Sequence, residues 1–102
     1  MAQFDVHKLP SPRVPGRLLL DVQSDHLDLL ASRLVIPLVP ERLYGEPMAR
    51  LNPAFSIGGS RYVLVTQEAT SVPKTMLAPP FASLKAERDA ILGALDLLII
   101  GY

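Results

Sequence analysis

Short apolar segments separated by proline, glycine and polar residues make up the first two thirds of the chain. Apolar and polar side chains alternate from Gln3 to His7, which is the period of a half-buried strand. Residues Arg17 to Val22 contain three consecutive leucines, which predicts a strand that is buried on both faces. A third strand is predicted from Leu34 to Val39 and ends at Pro40. This pattern predicts a sheet in the N-terminal part of the chain.

A hairpin and one further strand are predicted in the middle of the chain. Segments 54–57 and 61–66 flank Gly58-Gly59, and glycine supplies the positive φ that a tight turn needs. The last strand is predicted from Val72 to Leu77, at a sheet edge because Pro73 has no N–H to donate. The middle of the chain therefore has the pattern of short antiparallel strands joined by tight turns.

The C-terminal segment has the spacing of a helix. Ser83 is the predicted N-cap, and apolar residues recur every three or four positions after Leu84. We expect Pro79-Pro80 to end the β part before this helix. Strands followed by one helix predict a mainly β (α+β) fold, which is a small antiparallel barrel or curled sheet with a C-terminal α-helix.

Three connections between these elements are predicted to be irregular. Several prolines prevent a regular strand or helix between Lys8 and Gly16, so we expect an exposed and variable loop there. The segment 25–32 has room for one helical turn. A second short turn is predicted at Met48 to Leu51, inside a loop from Glu41 to Asn52.

The length of 102 residues predicts a single domain over residues 1–102 with a small core. Hydrophobic residues make up 49% of the chain, and its last third is densely aliphatic. Such an excess of apolar surface on a small domain indicates a protein–protein interface, and we predict a homodimer. The residues predicted to form the dimer interface are Ile91, Leu95, Leu98 and Ile99.

Charge and composition exclude several classes of function. Ten basic and ten acidic residues give no net charge, which argues against direct binding to a phosphate backbone. The chain has no cysteine, so disulfides, thiolate nucleophiles and zinc–thiolate sites are absent. Neither the N-terminus nor the apolar run from Leu97 to Ile100 has the length of a signal-peptide core or a membrane span. We therefore expect a cytoplasmic protein without a membrane partner.

Two groups of polar residues are candidates for a metal-binding or an acid–base site. Three aspartates lie close together in sequence, at Asp21, Asp25 and Asp28, and could either bind a metal ion or cap turns. Turn capping is favoured, because the segment does not have its ligands in the order that a calcium-binding loop requires. His26 follows Asp25 and could have either an acid–base or a structural role. His7 and His26 are too far apart in sequence to have the spacing of metal ligands.

Motifs of catalytic or phosphate-binding loops are not found in the sequence. Gly58-Gly59-Ser60 fits a hairpin turn better than a phosphate loop, because a phosphate loop needs a following helix and usually a lysine. No serine lies in a nucleophile elbow. We predict no catalytic residue, no metal and no cofactor, and hence a protein that is not an enzyme.

Several segments, taken in order, resemble the CcdB family of bacterial toxins. The block Asp21-Val22-Gln23-Ser24-Asp25 is followed by Leu34-Val35-Ile36-Pro37-Leu38, and the chain ends in Ile99-Ile100-Gly101-Tyr102. Shorter pieces in the family's order are Gln3-Phe4 with Val6, Ile57-Gly58, Thr66 and Ser71-Val72-Pro73. The resemblance extends along the whole chain and implies an SH3-like barrel, a fold shared with the MazF/Kid toxins.

The resemblance implies a dimer that poisons DNA gyrase by binding its A subunit and trapping the cleaved-DNA complex. In the family the last three residues, usually an aromatic residue, a glycine and an aliphatic residue, insert between the gyrase subunits. Here the aromatic residue follows the glycine, Asp96 stands where a neutral amide is frequent, and His26 stands where an aliphatic residue is frequent. The residues implied to contact gyrase are His26, Leu27, Asp96, Ile99, Ile100, Gly101 and Tyr102.

The resemblance also implies a CcdA-like antitoxin, which binds as a segment that folds on the toxin. The toxin would then contact DNA only indirectly, through this antitoxin. Part of its binding site is predicted in the proline-bearing loop, at Ser11, Pro12, Arg13 and Val14.

Two alternatives to this function stay open. One is a MazF-like endoribonuclease that uses Arg33 or Arg17 beside a carboxylate, against which the neutral net charge argues. The other is a CcdB-like protein that still binds an antitoxin but has lost its toxicity, which the residues at Ile100 and Asp96 favour.

Overall fold

The computed structural model describes residues 2–8 and 17–102, which form a curled antiparallel sheet and one C-terminal helix. The strands are β1 (Asp5–Lys8), β2 (Leu18–Asp21), β3 (Ser32–Pro40), β4 (Ala54–Ile57), β5 (Ser60–Leu64), β6 (Thr70–Pro73) and β7 (Ala82–Ser83), and the helix is α1 (Arg88–Ile100). The predicted fold class is confirmed, because the described residues form a mainly β, barrel-like sheet with one helix.

Strand β3 is the centre of the sheet, whose order is β4-β5-β3-β2-β1-β7, with β6 also paired to β3. One side of β3 pairs with β2, while its other side pairs first with β6 and then with β5. The change of partner falls at Ile36 and Pro37. The carbonyl of Pro37 accepts a hydrogen bond from the Val65 N–H on that side, at 2.9 Å. Proline has no N–H to offer there, so the ladder is interrupted and the sheet can curl.

The core lies inside the curled sheet and beneath the helix. All four residues of β2 are buried, which confirms the prediction from its leucine run. The helix contributes Ile91 and Ala94, and Leu84 joins them from the preceding turn. Phe4 is buried too, although its φ of 71° lies in a region that side chains with a Cβ rarely adopt. The N-terminus is therefore fixed to the core just before β1.

The hairpin is confirmed, since β4 and β5 flank a turn in which Gly58 and Gly59 both have positive φ. Several boundaries differ from the prediction, two of them in the last part of the sheet. The last long strand is β6 at Thr70–Pro73, two residues earlier than expected, because a 3₁₀ turn at Lys74–Met76 follows the proline. The β part also continues past Pro79-Pro80, because β7 pairs with β1.

The helix begins later than predicted. The Ser83 hydroxyl accepts a hydrogen bond from the Lys85 N–H at 3.2 Å, but Ser83 is not the N-cap of the helix. A 3₁₀ turn at Lys85–Glu87, with Leu84 as its N-cap, comes first. The α-helix begins at Arg88, directly after that turn. At thirteen residues it is short, and none of the helices in the described part of the chain is long and apolar enough to cross a membrane.

The loop from residue 41 to residue 53 is attached to the sheet by two buried polar side chains. The Asn52 side chain donates to the Leu64 carbonyl and accepts from the Met48 N–H, at 3.1 and 3.0 Å. The Thr66 hydroxyl donates to the Leu51 carbonyl at 2.6 Å. The predicted turn at 48–51 is present, since the Asn52 N–H also bonds the Met48 carbonyl. A further 3₁₀ turn at Glu41–Leu43 was not predicted.

Candidate functional site

An exposed apolar loop connects β2 to β3. Its 3₁₀ turn at Asp25–Leu27 is capped by Ser24, whose hydroxyl accepts a hydrogen bond from the His26 N–H. The side chains of Leu27 and Leu30 are about half exposed, and Leu29 is 98% exposed. Exposed leucines in such close succession are typical of a surface that binds another protein. Leu29 and Leu30 were not predicted, because a leucine in a short polar connection has no periodicity that could assign it to the surface.

Arg33 holds this loop from inside the protein. Its guanidinium is fully buried and lies 2.8 Å from the Asp21 carboxylate and 3.1 Å from the Asp28 carboxylate. It also donates to the Gln23 carbonyl at 3.3 Å, and Asp25 lies 3.9 Å away. A buried charge is tolerated only when it is paired and hydrogen-bonded. Arg33 meets this requirement by binding Asp21 at the end of β2 and Asp28 and Gln23 in the loop, so it holds the loop against the sheet.

Hydrogen bonds between side chains and backbone groups also stabilise the loop. The Gln23 amide nitrogen donates to the carbonyls of Leu27 and Ser32, and its oxygen accepts from the Leu34 N–H. The Asp25 carboxylate accepts from the Gln3 N–H at 2.8 Å, which joins the loop to the N-terminal segment. The conformation of the exposed leucines is therefore set by the buried Arg33 guanidinium together with these hydrogen bonds at the base of the loop.

These contacts identify the role of the clustered aspartates. Asp21 accepts the N–H of Gln23, as the capping interpretation predicted, whereas Asp25 accepts the N–H of the distant Gln3. The cluster also neutralises Arg33. Among the described residues there is no group of histidine, aspartate or glutamate side chains arranged to hold a metal ion. His26 is exposed on the loop, whereas His7 is buried in β1 and hydrogen-bonds the Ala78 carbonyl at 2.6 Å through Nδ1.

The C-terminal end of α1 forms a second exposed apolar surface. Ile99 and Tyr102 are 75% and 77% exposed, and Leu98 and Ile100 are about half exposed. Gly101 ends the helix with a φ of 88°, and its N–H bonds the carbonyls of Asp96 and Leu97 at 3.2 and 3.1 Å. This glycine C-cap gives the apolar end of the helix a defined backbone conformation.

The residues predicted for a dimer interface divide between the inside and the outside of the molecule. Ile91 is fully buried in the core of the single chain, so its side chain is not on the surface that a partner would meet. Leu95 is partly buried against that core, whereas Leu98 and Ile99 are exposed. The exposed face at the end of the helix is thus formed by residues 98–102.

The residues implied to contact gyrase lie in two separate sets, one at the end of α1 and one on the loop after β2. Asp96, Ile99, Ile100, Gly101 and Tyr102 lie together at the end of α1, and all are exposed. His26 and Leu27 lie on the loop that Arg33 supports. No hydrogen bond or ion pair in residues 2–8 and 17–102 connects the loop with the end of the helix. The predicted antitoxin residues Ser11, Pro12, Arg13 and Val14 lie outside the described residues.

The arginines suggested for RNA cleavage have other roles. Arg33 is fully buried, so it cannot reach an RNA phosphate without unfolding the loop, and this suggestion was wrong. Arg17 lies at the surface and pairs with Glu68 at 3.1 Å. The sequence did not reveal that Arg33 is internal, because the aspartates that neutralise it come together only when β2 and β3 pair.

Comparison with known protein families gives one match that covers almost the whole chain. The family model described as CcdB protein matches residues 3–101. The match includes β1, the loop after β2, the hairpin and the end of α1. It therefore covers the exposed loop and the exposed end of the helix up to Gly101.

Proposed function

Since the chain belongs to the CcdB family, a family of toxins from toxin–antitoxin modules, we propose that it poisons DNA gyrase. In this proposal it binds the gyrase A subunit as a homodimer and traps the complex in which DNA is cleaved. It acts by binding and catalyses no reaction of its own. Its target works on the chromosome, so the proposed site of action is the cytoplasm.

The exposed apolar end of α1 is the observation that carries this proposal. A helix that ends a small domain would normally place its apolar side chains on the core, yet residues 98–100 and Tyr102 are turned to solvent. Gly101 fixes their backbone. Burying side chains of this size is worth about 1.5–3 kcal/mol each, so the end of the helix has a strong tendency to associate with a protein surface. In the proposal, residues 99–102 and Asp96 contact gyrase.

The loop after β2 supplies the second proposed contact, through His26 and Leu27. A homodimer doubles both surfaces, and Leu98 and Ile99 are the exposed residues of the predicted dimer interface. The structure supports a smaller contribution from Leu95 and none from the side chain of Ile91, which the core already holds. A dimer that buries Leu98 and Ile99 would cover part of the apolar surface that the fold leaves exposed at the end of α1.

A CcdA-like antitoxin is the proposed regulator. It neutralises the toxin by binding as a flexible segment, with Ser11, Pro12, Arg13 and Val14 as the predicted part of its contact. DNA is reached only through the antitoxin in this scheme, which provides autoregulation of transcription by the complex. The absence of a net positive charge on the chain supports an indirect link to DNA.

One assay distinguishes the proposed function from its alternatives. Purified protein is incubated with gyrase and supercoiled plasmid, and in parallel with a labelled RNA, and both reactions are stopped with detergent. Linear plasmid that depends on gyrase is the expected result. RNA fragments would instead indicate an endoribonuclease. Intact plasmid and intact RNA would indicate a protein that has lost its toxicity.

A further inference from the structure

Residues 2–5 form a tight turn at the start of β1, which is called the N-terminal brace below. The Asp5 N–H bonds the Ala2 carbonyl at 3.1 Å, and the Asp5 carboxylate accepts from the Ala2 N–H at 2.9 Å. Phe4 anchors the turn, because its side chain is buried in the core cluster. The brace is therefore a closed structure with a buried anchor, and its other polar groups are available to neighbouring elements.

The backbone of Phe4 connects the elements on the two sides of β1, which lies between β2 and β7. Its N–H bonds the Asp21 carbonyl at the end of β2, at 2.6 Å, and its carbonyl accepts from the Leu84 N–H just after β7, at 2.8 Å. In a regular strand the N–H and the carbonyl of one residue point towards the same neighbouring strand. Bonding to opposite neighbours needs a different backbone, which the φ of 71° supplies. The rare conformation of Phe4 thus ties the end of β2 to the segment that leads into α1.

Gln3 connects the same turn to the exposed loop after β2. Its N–H bonds the Asp25 carboxylate at 2.8 Å, and its side-chain amide donates to the Val22 carbonyl at 3.1 Å. Asp25 begins the 3₁₀ turn that also contains His26 and Leu27. The loop therefore has two attachments, because Arg33 holds it to the sheet and Gln3 holds it to the brace.

The brace links the loop with the start of the helix, which have no direct polar contact of their own. Among the described residues, none of the hydrogen bonds and ion pairs joins residues 24–31 to residues 82–102. A cavity of about 280 Å³ adjoins the brace, and it is lined by Asp25 from the loop and by Lys85 and Arg88 from the start of the helix. Hydrogen bonds of the brace, rather than packed side chains, therefore connect the two elements here.

We propose that the brace is a positioning element for the proposed gyrase contact, and that Gln3 is the residue that positions the loop. Helix α1 is continuous from Arg88 to Ile100, so fixing its start also fixes the direction of its apolar end. The brace then presents Leu27 and the end of the helix in one fixed relation. Two contacts in a fixed relation bind a partner more tightly than two that move independently, because the second forms without a further loss of freedom. The role in gyrase binding rests on the proposed function, whereas the support of the loop by Gln3 does not.

The variant Gln3→Met tests the support of the loop in the absence of gyrase. Methionine is similar in length to glutamine but cannot donate to the Val22 carbonyl. Hydrogen exchange of the Leu27 amide should become about threefold to tenfold faster, as expected for the loss of one hydrogen bond. The matched control is Gln67→Met, because the Gln67 amide supports a different loop, at residues 41–53. In the control the exchange of the Leu27 amide should change less than about twofold.

A second experiment separates positioning from a purely structural effect. The affinity for the gyrase A subunit is measured by calorimetric titration for Leu27→Ala, both in the unchanged protein and in Gln3→Met. If Gln3 acts through the loop, the loss of affinity caused by Leu27→Ala should be at least about threefold smaller in Gln3→Met. Ile99→Ala should have the same effect in both backgrounds within about twofold, because Gln3 does not hold the end of the helix.

Two results would overturn the proposal. Unchanged exchange of the Leu27 amide in Gln3→Met would show that the loop is held without Gln3. Equal losses of affinity from Leu27→Ala in the two backgrounds would show that Gln3 contributes only to stability. Faster exchange in a protein that does not bind gyrase would instead refute the proposed target and leave the support of the loop by Gln3 intact.

A second pair of variants keeps the test open if Gln3→Met does not fold. Asp25→Ala removes the acceptor of the Gln3 N–H, and Asp28→Ala is its control. Both carboxylates lie near Arg33 on side chains that are more than half exposed, but only Asp25 contacts the brace. The Gln3 amide should exchange at least about threefold faster in Asp25→Ala than in Asp28→Ala, and equal rates would overturn the proposal.

Discussion

Arg33 and Asp21 form a fully buried ion pair, with 2.8 Å between the guanidinium Nε and the carboxylate Oδ2. Asp21 ends β2 and Arg33 is the second residue of β3, so the pair closes the base of the exposed loop between them. Asp28 and the Gln23 carbonyl bind the same guanidinium from the loop itself. The guanidinium that anchors the loop is thus internal, while the leucines that the loop exposes are free to contact a partner.

The first prediction is that neutralising Asp21 destabilises the protein far more than neutralising an exposed carboxylate. The substitution Asp21→Asn keeps the shape of the side chain but leaves the buried guanidinium without its closest negative charge. We expect the free energy of unfolding to fall by about 3–5 kcal/mol, as measured by urea denaturation. The matched control is Glu41→Gln, whose carboxylate is about half exposed and lies 3.8 Å from Arg61. The control should cost less than about 1 kcal/mol, and similar losses in both variants would contradict the prediction.

The patterns that depend on near neighbours in sequence were predicted correctly. The hairpin was evident because two adjacent glycines separate two β-prone segments, and both adopt positive φ. The burial of β2 followed from its consecutive leucines. Ile99 and Ile100 were predicted to contact a partner, and both side chains are exposed in the structure, as such a contact requires.

The features that depend on tertiary pairing were missed. Ala82 and Ser83 are too short a segment to show a strand period, and they form β7 only because β1 presents a free edge to them. The same pairing places Ser83 before a 3₁₀ turn and delays the start of the α-helix to Arg88. The burial of Arg33 was missed for a related reason, since its three carboxylates are brought to it by the sheet and the loop.

The second prediction concerns the dimer. Leu98 is exposed at the end of α1, so Leu98→Asp should leave the fold of the single chain intact while placing a charge in the interface. Two copies of the leucine contribute to a symmetric dimer, at about 1.5 kcal/mol or more each, so the dissociation constant should rise at least about a hundredfold. Sedimentation equilibrium measures this change. The matched control is Leu43→Asp on the loop after β3, where a somewhat more exposed leucine lies outside the predicted interface. A wild-type protein that is monomeric at micromolar concentration would refute the dimer.

The third prediction is that Gly101 is required for its backbone conformation. Its φ is 88°, and a Cβ placed there would contact no atom of the described structure within 4 Å, so space is not the constraint. Gly101→Ala should disfavour the C-cap by about 1–2 kcal/mol and loosen the last turn of the helix. Faster hydrogen exchange of the amide at position 101 would report this change. Gly45→Ala is the matched control, since Gly45 also has open space around it but no positive φ. Unchanged exchange in Gly101→Ala would show that the cap is not what orders the end of the helix.

The fourth prediction separates toxicity from stability. Removing residues 100–102 should abolish gyrase-dependent cleavage of plasmid DNA, because it deletes the tip of the proposed contact at the end of the helix. The melting temperature should change little, since these residues are exposed and the core contribution of α1 comes from Ile91 and Ala94. Full activity of the truncated protein would locate the gyrase contact elsewhere, and a large fall in melting temperature would show that the tail supports the fold.

The last prediction tests whether the position of the aromatic residue limits activity. In this chain Tyr102 follows Gly101, and an aliphatic residue, Ile100, precedes it. Aromatic side chains contribute large, flat contact areas that isoleucine does not match, and they dominate the energetics of many interfaces. Ile100→Trp should therefore increase the yield of linear plasmid at a given protein concentration. The side chain of Ile100 is more than half exposed, so the larger ring can be accommodated without disturbing the core. Leu43→Trp adds the same ring on another surface and should leave the yield unchanged. A gain in both variants would indicate a nonspecific effect of added apolar surface, and a loss in Ile100→Trp would mean that the gyrase surface is adapted to isoleucine at this position.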